Sequence, residues 1–176
     1  MTNFPFRDET QLRDVESLNL LAQARKDGRE AWAWNGIRKK GRDNARTPMQ
    51  WDASANAGFT AGTPWIGVNP NCRQINVQRA QADPDSILHF YRKLLALRQS
   101  SEALRSGTFR LLLPEHPQLL AYERAGGEER IRVCCNFSSA SAALPPEMQG
   151  GCLLCDGVAN GRMEPYGLLC VQLPRR

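Results

Sequence analysis

The stretch Gly41-Arg42-Asp43-Asn44-Ala45-Arg46-Thr47-Pro48-Met49-Gln50-Trp51-Asp52 decides how this chain is read. It packs two arginines, two carboxylates, two amides and a tryptophan into a dozen residues. Arg42 offers a planar fork of donors, Asp43 and Asp52 offer acceptors, and Trp51 offers a flat apolar face. Sugar sites are assembled from these parts. Hydroxyls take bidentate polar partners, and the C–H face of a pyranose takes an aromatic ring. A salt-bridged structural loop draws on the same residues, with Asp43 and Asp52 serving Arg42, Arg46 or backbone amides.

Regular structure flanks this block on both sides. Upstream, Ser17 to Lys26 carries Leu18, Leu21 and Ala22 at helical spacing, and Gly28 interrupts it. A second helix is expected from Ala31 to Lys40, with Gly41 as its stop. Trp32 and Trp34 are two apart and cannot share one helical face. Residues 41–82 are rich in Gly, Pro and Asn and show little periodicity, so a long ordered loop is expected. The clearest helix follows at 83–99, with Asp83 as cap and Pro84 in the first helical position. Ile87, Phe90, Tyr91, Leu94, Leu95 and Leu97 give it a wide apolar stripe.

Residues 106–176 read as all-β. Strands are expected at Thr108–Leu113, Leu119–Arg124, Arg130–Asn136, Cys152–Cys155 and Leu168–Leu173. Turns fall at Gly126-Gly127 and between Gly157 and Gly161. Short, evenly spaced strands point to a small antiparallel β-sandwich.

Composition excludes several classes. With 176 residues, 41% hydrophobic and 23% charged, the chain is not disordered throughout. No apolar run approaches the roughly 20 residues of a spanning helix, so no membrane partner is expected. The first twenty residues lack an apolar signal region, so a cytoplasmic location is expected. A net charge of +5 is modest and is weak support for nucleic acid. Cys152 and Cys155 form a C-x-x-C next to strand-borne Cys134 and Cys135. On a regular strand, residues three apart point to opposite faces, so free thiols are expected, with no metal and no cofactor.

The block at 41–52 resembles the signature of the oligo-1,6-glucosidase and trehalose-6-phosphate hydrolase group within the α-amylase-type (family 13) glycoside hydrolases. The resemblance continues in Asn56-Ala-Gly-Phe-Thr60, Thr63-Pro-Trp-Ile66, Val68-Asn-Pro-Asn71 and Gln74-Ile-Asn-Val77. Upstream it takes in Met1-Thr-Asn and Arg13-Asp-Val-Glu-Ser-Leu-Asn19. It is strong over residues 1–105 and loose beyond.

The resemblance implies a fold class: a fragment of a (β/α)8 TIM barrel, comprising the final loop and last helix, followed by a small C-terminal β-sandwich. Residues 1–104 would end the catalytic barrel, with the last helix at about 83–104, and residues 105–176 would form the C-terminal domain. The family's catalytic carboxylates sit on earlier strands, so no catalytic residue is expected here and the chain alone is expected to be inactive. Its partners would be an α-glucoside or oligosaccharide and the missing N-terminal barrel segment.

The first arginine of the family motif contacts the nonreducing glucose, and this corresponds to Arg42. Asp43 would orient it, Arg46 is the next substrate-binding candidate, and Trp51 and Trp65 are candidates for the pocket wall or for core packing. A phosphate-binding variant would rest on Arg38, Lys39, Lys40 and Arg42, and a rival reading as a carbohydrate- or nucleic-acid-binding module would rest on the five basic residues from Arg38 to Arg46 with the neighbouring tryptophans.

Overall fold

The computed structural model describes residues 2–174, and its backbone divides between His89 and Phe90 into two compact units. In the first, helices α1 (Val15–Lys26) and α2 (Glu30–Lys40) meet at a tight turn. Gly28 lies at φ +67°, its amide reaches the Arg25 carbonyl at 3.3 Å, and the Arg29 amide reaches the Ala24 carbonyl at 2.7 Å. This Schellman closure needs a left-handed residue, which glycine supplies without a Cβ penalty. Leu21 and Ala24 of α1 and Ala33 and Ile37 of α2 bury against Phe4, Phe6, Leu12 and Ile66. The two tryptophans part as their spacing requires. Trp34 packs on this core, while Trp32 is exposed with the Arg29 guanidinium 4.5 Å from its ring centre.

From Gly41 to Asn76 the chain makes only short 3₁₀ turns, held by side-chain amides. Buried Asn69 donates to the Thr2 and Asn3 carbonyls at 3.2 and 3.0 Å, and buried Gln50 donates to the Ile75 carbonyl at 2.6 Å. The loop ends earlier than its composition indicates. Helix α3 (Val77–Ala82) starts where the Asn76 side chain accepts the Arg79 amide at 2.8 Å. Helix α4 (Ile87–Ser100) likewise begins later than the expected Pro84. The Asp83 carboxylate takes the Asp85 amide in a turn, and the Ser86 hydroxyl, accepting the His89 amide at 3.4 Å, caps the helix. Ile87, Tyr91 and Leu95, one turn apart, are all exposed.

The second unit holds α5 (Glu102–Ser106) and six strands: β1 (Thr108–Leu111), β2 (Leu119–Gly126), β3 (Glu129–Asn136), β4 (Ala142–Ala143), β5 (Gly151–Ala159) and β6 (Arg162–Gln172). The expected sandwich is corrected here: among the described residues all strands lie in one antiparallel sheet. β2 joins β1 to β3, β3 and β4 share one edge of β6, and β5 takes its other edge. One long strand, β6, thus serves both ends. Two register slips against β5 and a left-handed Tyr166 (φ 60°) interrupt its ladder. The β2–β3 turn is Gly127-Glu128, one residue later than expected. The β5–β6 turn is Asn160-Gly161, with φ 50° and 72°, the type I′ pair that matches strand twist.

Opposed residues share a sheet face. Leu119, Ala121, Cys134, Leu169 and Val171 bury one face with Met148 and Met163; Ile131, Val133 and Cys170 bury the other against Ala103.

Glu123, on the first face and 6% exposed, receives Arg132 at 2.9 Å, Arg130 at 3.1 Å and Arg110 at 3.2 Å. Partial burial pushes its carboxyl upward, but the hydrogen bonds from Arg132, Arg110 and Arg130 outweigh that and hold it below the ordinary glutamate range. A folded pKa below the unfolded one gives stability that is present above the unfolded value and lost as pH falls through the folded one. We expect Glu123→Ala to lower the unfolding free energy in urea by about 2 kcal/mol at neutral pH, since it strands a cluster of cations. The gap to the wild type should narrow in acid; a gap unchanged by acidification contradicts this account.

Candidate functional site

Two side chains of the 41–52 block are fixed by the entry to α1, and a third by the end of α2. Asp43 is 1% exposed and lies two residues after Gly41, where a Cβ would lie 2.7 Å from the Ile37 carbonyl oxygen. Its Oδ2 accepts the Arg13 and Asp14 amides at 2.7 and 2.9 Å, and its Oδ1 accepts Arg46 Nη1 at 3.3 Å. Amides at a helix entrance lack intrahelical partners, so a buried carboxylate there does the work of a cap. Asn44 closes the same corner: its Oδ1 accepts the Phe4 amide at 2.9 Å and its Nδ2 donates to the Ile37 and Gly41 carbonyls at 3.1 Å.

Arg42 is held from the opposite direction. The Asp14 carboxylate, 4% exposed, takes Arg42 Nε at 3.1 Å and Nη2 at 2.9 Å on Oδ1, and the Ser17 hydroxyl at 2.9 Å on Oδ2. Glu16 adds a contact to Nη2 at 3.2 Å. Desolvation pushes the Asp14 carboxyl up, and the bonds from Ser17 and Arg42 outweigh it, keeping it below the usual carboxylate range. The expectation that Asp43 orients Arg42 is therefore corrected. Asp43 is turned inward onto the α1 amides and Arg46, and Asp14 with Glu16 orients Arg42. The two contacts are reciprocal: Asp43 holds the backbone that carries Asp14, and Asp14 holds the arginine next to Asp43. Among the described residues Arg42 Nη1 has no partner, and the guanidinium is half exposed.

The other candidates do not join Arg42. It lines a small cleft of about 240 Å³ with Asp14, Ser17, Ile37 and Lys40, and neither Arg46, Trp51 nor Trp65 reaches it. Trp51 and Trp65 are 50% and 64% exposed, so neither is a core residue; only the Trp51 backbone is tied down, to Ala57 at 2.8 Å and Gln78 at 2.9 Å. Asp52 accepts the Ser54 amide at 2.8 Å and hydroxyl at 2.5 Å, and these bonds lower its pKa. Among the described residues no group of three or more His, Cys, Asp or Glu side chains could hold a metal. Asp14 and Glu16 are the residues that sequence reading passed over. Their only signal was two carboxylates just after Arg13, twenty-eight and twenty-six residues before the arginine they serve.

The profile of the alpha amylase catalytic domain matches residues 8–107, more than half of the chain, including Asp14, Arg42, Asp43 and Arg46. The chain belongs to that family. Among its relatives, the oligo-1,6-glucosidase of Parageobacillus thermoglucosidasius is 47% identical over 140 residues, 78% of this chain and 25% of that protein. The trehalose-6-phosphate hydrolase of Escherichia coli strain K12 is 48% identical over 139 residues, again 78% and 25%. The crystal structure of Bacillus licheniformis trehalose-6-phosphate hydrolase matches with a TM-score of 0.87 at 37% identity, covering 99% of this chain and 34% of that one. The chain thus spans about a quarter to a third of the length of the family members it matches, and corresponds to their C-terminal part.

The corner yields a direct test. We expect Asp43→Ala to speed hydrogen exchange at the Arg13 and Asp14 amides by at least tenfold, with a stability loss of about 2–3 kcal/mol from the unpaired buried donors. Unchanged protection of both amides would show that Asp43 does not hold them.

Proposed function

We propose that this chain is the C-terminal portion of a retaining exo-α-glucosidase acting on α-1,6- or α-1,4-linked gluco-oligosaccharides. In this reading, residues 1–104 end the catalytic barrel, with the loop on its substrate side, and residues 105–176 are the C-terminal β-domain. The carrying observation is Arg42: buried Asp14 fixes one edge of its guanidinium, and Nη1 is left to donate. An arginine held in this way meets a sugar hydroxyl without first paying for its own ordering, which makes it an orienting group rather than a chemical one.

The chemistry belongs to two carboxylates about 5–5.5 Å apart, one attacking the anomeric carbon and one protonating the leaving oxygen. Neither Asp43 nor Asp52 suits either role, because each is already bonded to backbone amides. Those carboxylates are therefore assigned to an upstream segment. The exposed face of Ile87, Tyr91 and Leu95 supports the same reading, since burying each such side chain is worth roughly 1.5–3 kcal/mol and barrel strands are the partner it would take.

The basic cluster favours neither a phosphate nor a nucleic acid. Arg38 donates to the Phe6 carbonyl at 2.8 Å and lies over Trp34, while Arg42 and Arg46 are paired with carboxylates. That leaves Lys39 and Lys40 as the uncommitted part of it.

We expect the isolated chain to hydrolyse neither isomaltose nor a nitrophenyl α-glucoside. Grafted in place of the matching segment of the Parageobacillus oligo-1,6-glucosidase, it should support turnover of isomaltose. Arg42→Ala should then lower kcat/KM at least tenfold, while Lys26→Ala, on the last turn of α1, should not. Turnover by the isolated chain would overturn the assignment of the carboxylates, equal activity of the two variants would overturn that of Arg42, and a graft selective for trehalose 6-phosphate would overturn the substrate class.

A further inference from the structure

Six cysteines are present, and the sugar-site reading uses none of them. Cys134 and Cys170 are buried between strands, and desolvation pushes both thiols up to about 11, which leaves them protonated and inert. Cys152 and Cys155 differ: both lie on β5 and both are exposed.

The register of β5 decides how these two relate. On an unbroken strand, residues three apart lie about 10 Å apart and face opposite sides. Here the ladder slips between Cys152 and Leu154. Cys152 pairs with Val171, Leu154 with Cys170, and Cys155 with Leu169. Residues 169 and 171 lie two apart on β6 and share a face, so their partners on β5 share it too. Residues 169 and 171 are roughly 6.7 Å apart along β6, at the upper end of the span of about 4.4–6.8 Å over which disulfides bridge Cα atoms, and the Cys152 side chain lies within hydrogen-bonding reach of the Cys155 thiol. The bulge absorbs the odd residue and turns a spacing that separates the thiols into one that joins them. The Cys155 thiol is raised by desolvation first and then by the nearness of Cys152, as this geometry requires.

We infer that Cys152 and Cys155 form an exposed vicinal dithiol that closes to an intrastrand disulfide on exchange with a small disulfide such as oxidised glutathione. One thiolate attacks a sulfur of glutathione disulfide and expels glutathione thiolate. The second thiol, losing its proton, attacks the protein sulfur of the mixed disulfide and expels the other glutathione as its thiolate. Two protein thiols are oxidised to one disulfide while the glutathione disulfide is reduced to two thiols. The same pair is a ligand for a trivalent arsenical, which bridges two neighbouring sulfurs. This site is independent of the sugar-binding reading.

The test uses the whole chain. Reduced protein is equilibrated with oxidised glutathione, alkylated under denaturing conditions and mapped by mass spectrometry. Cys152 and Cys155 should be protected together, with the loss of two hydrogens and no added glutathione, and the other four should alkylate. Phenylarsine oxide should bind one per chain, and Cys152→Ser or Cys155→Ser should weaken that binding at least tenfold while Cys72→Ser leaves it unchanged. Stable glutathione adducts, a bridge from Cys152 to Cys170, dimers linked through β5, or full alkylation of both cysteines would each overturn the inference. The alkylation map reads the wild-type chain alone, so it decides the matter even if a variant misfolds.

Discussion

A buried carboxylate must find its hydrogen bonds among protein donors, and Asp43 takes three, from two amides and a guanidinium. That constraint pins the start of α1 to the loop after α2. It places Asp14 at the helix entrance, where Asp14 in turn fixes the Nε edge of Arg42. The core of Phe4, Phe6, Leu21, Ala33 and Ile37 supplies bulk stabilisation, but hydrophobic contact has no direction. The polar corner supplies the direction, and Arg42 depends on it.

The same division of labour runs through the second unit. Apolar residues bury both faces of the sheet, while the Glu123 cluster ties β1, β2 and β3 together at the end of the first face. In the first unit buried Asp43 ties Arg46 to two backbone amides, and in the second buried Glu123 collects Arg110 of β1 with Arg130 and Arg132 of β3. Removing Glu123 would leave those three cations crowded in a partly desolvated place.

What could be read from sequence follows the range of the interactions involved. α1, α2 and most strands were legible because local periodicity and glycine punctuation, at Gly28, Gly126-Gly127 and Gly161, encode them. The start of α4 was misplaced, since Asp83-Pro84 satisfies the cap rule as well as Ser86 does, and only the Ser86 hydroxyl meets the His89 amide. The sandwich was misread because strand spacing says nothing of which edge each strand joins, and a single bulged β6 carries both ends. In the candidate site, Arg42 stood out by its motif. Its partner did not: the nearest carboxylate in sequence, Asp43, faces away, and Asp14 lies twenty-eight residues upstream. The face shared by Cys152 and Cys155 was hidden for a similar reason, because a bulge is a property of two strands.

The central claim is that Asp14 orients Arg42 for a sugar, and a double-mutant cycle on kcat/KM for isomaltose tests it most directly. Asp14→Asn, Arg42→Ala and the double variant would be measured in the graft with the Parageobacillus oligo-1,6-glucosidase. The account predicts strong non-additivity: once Arg42 is gone, Asp14→Asn should cost little further activity. Effects that simply multiply would contradict it, because Asp14 would then be acting through something other than Arg42.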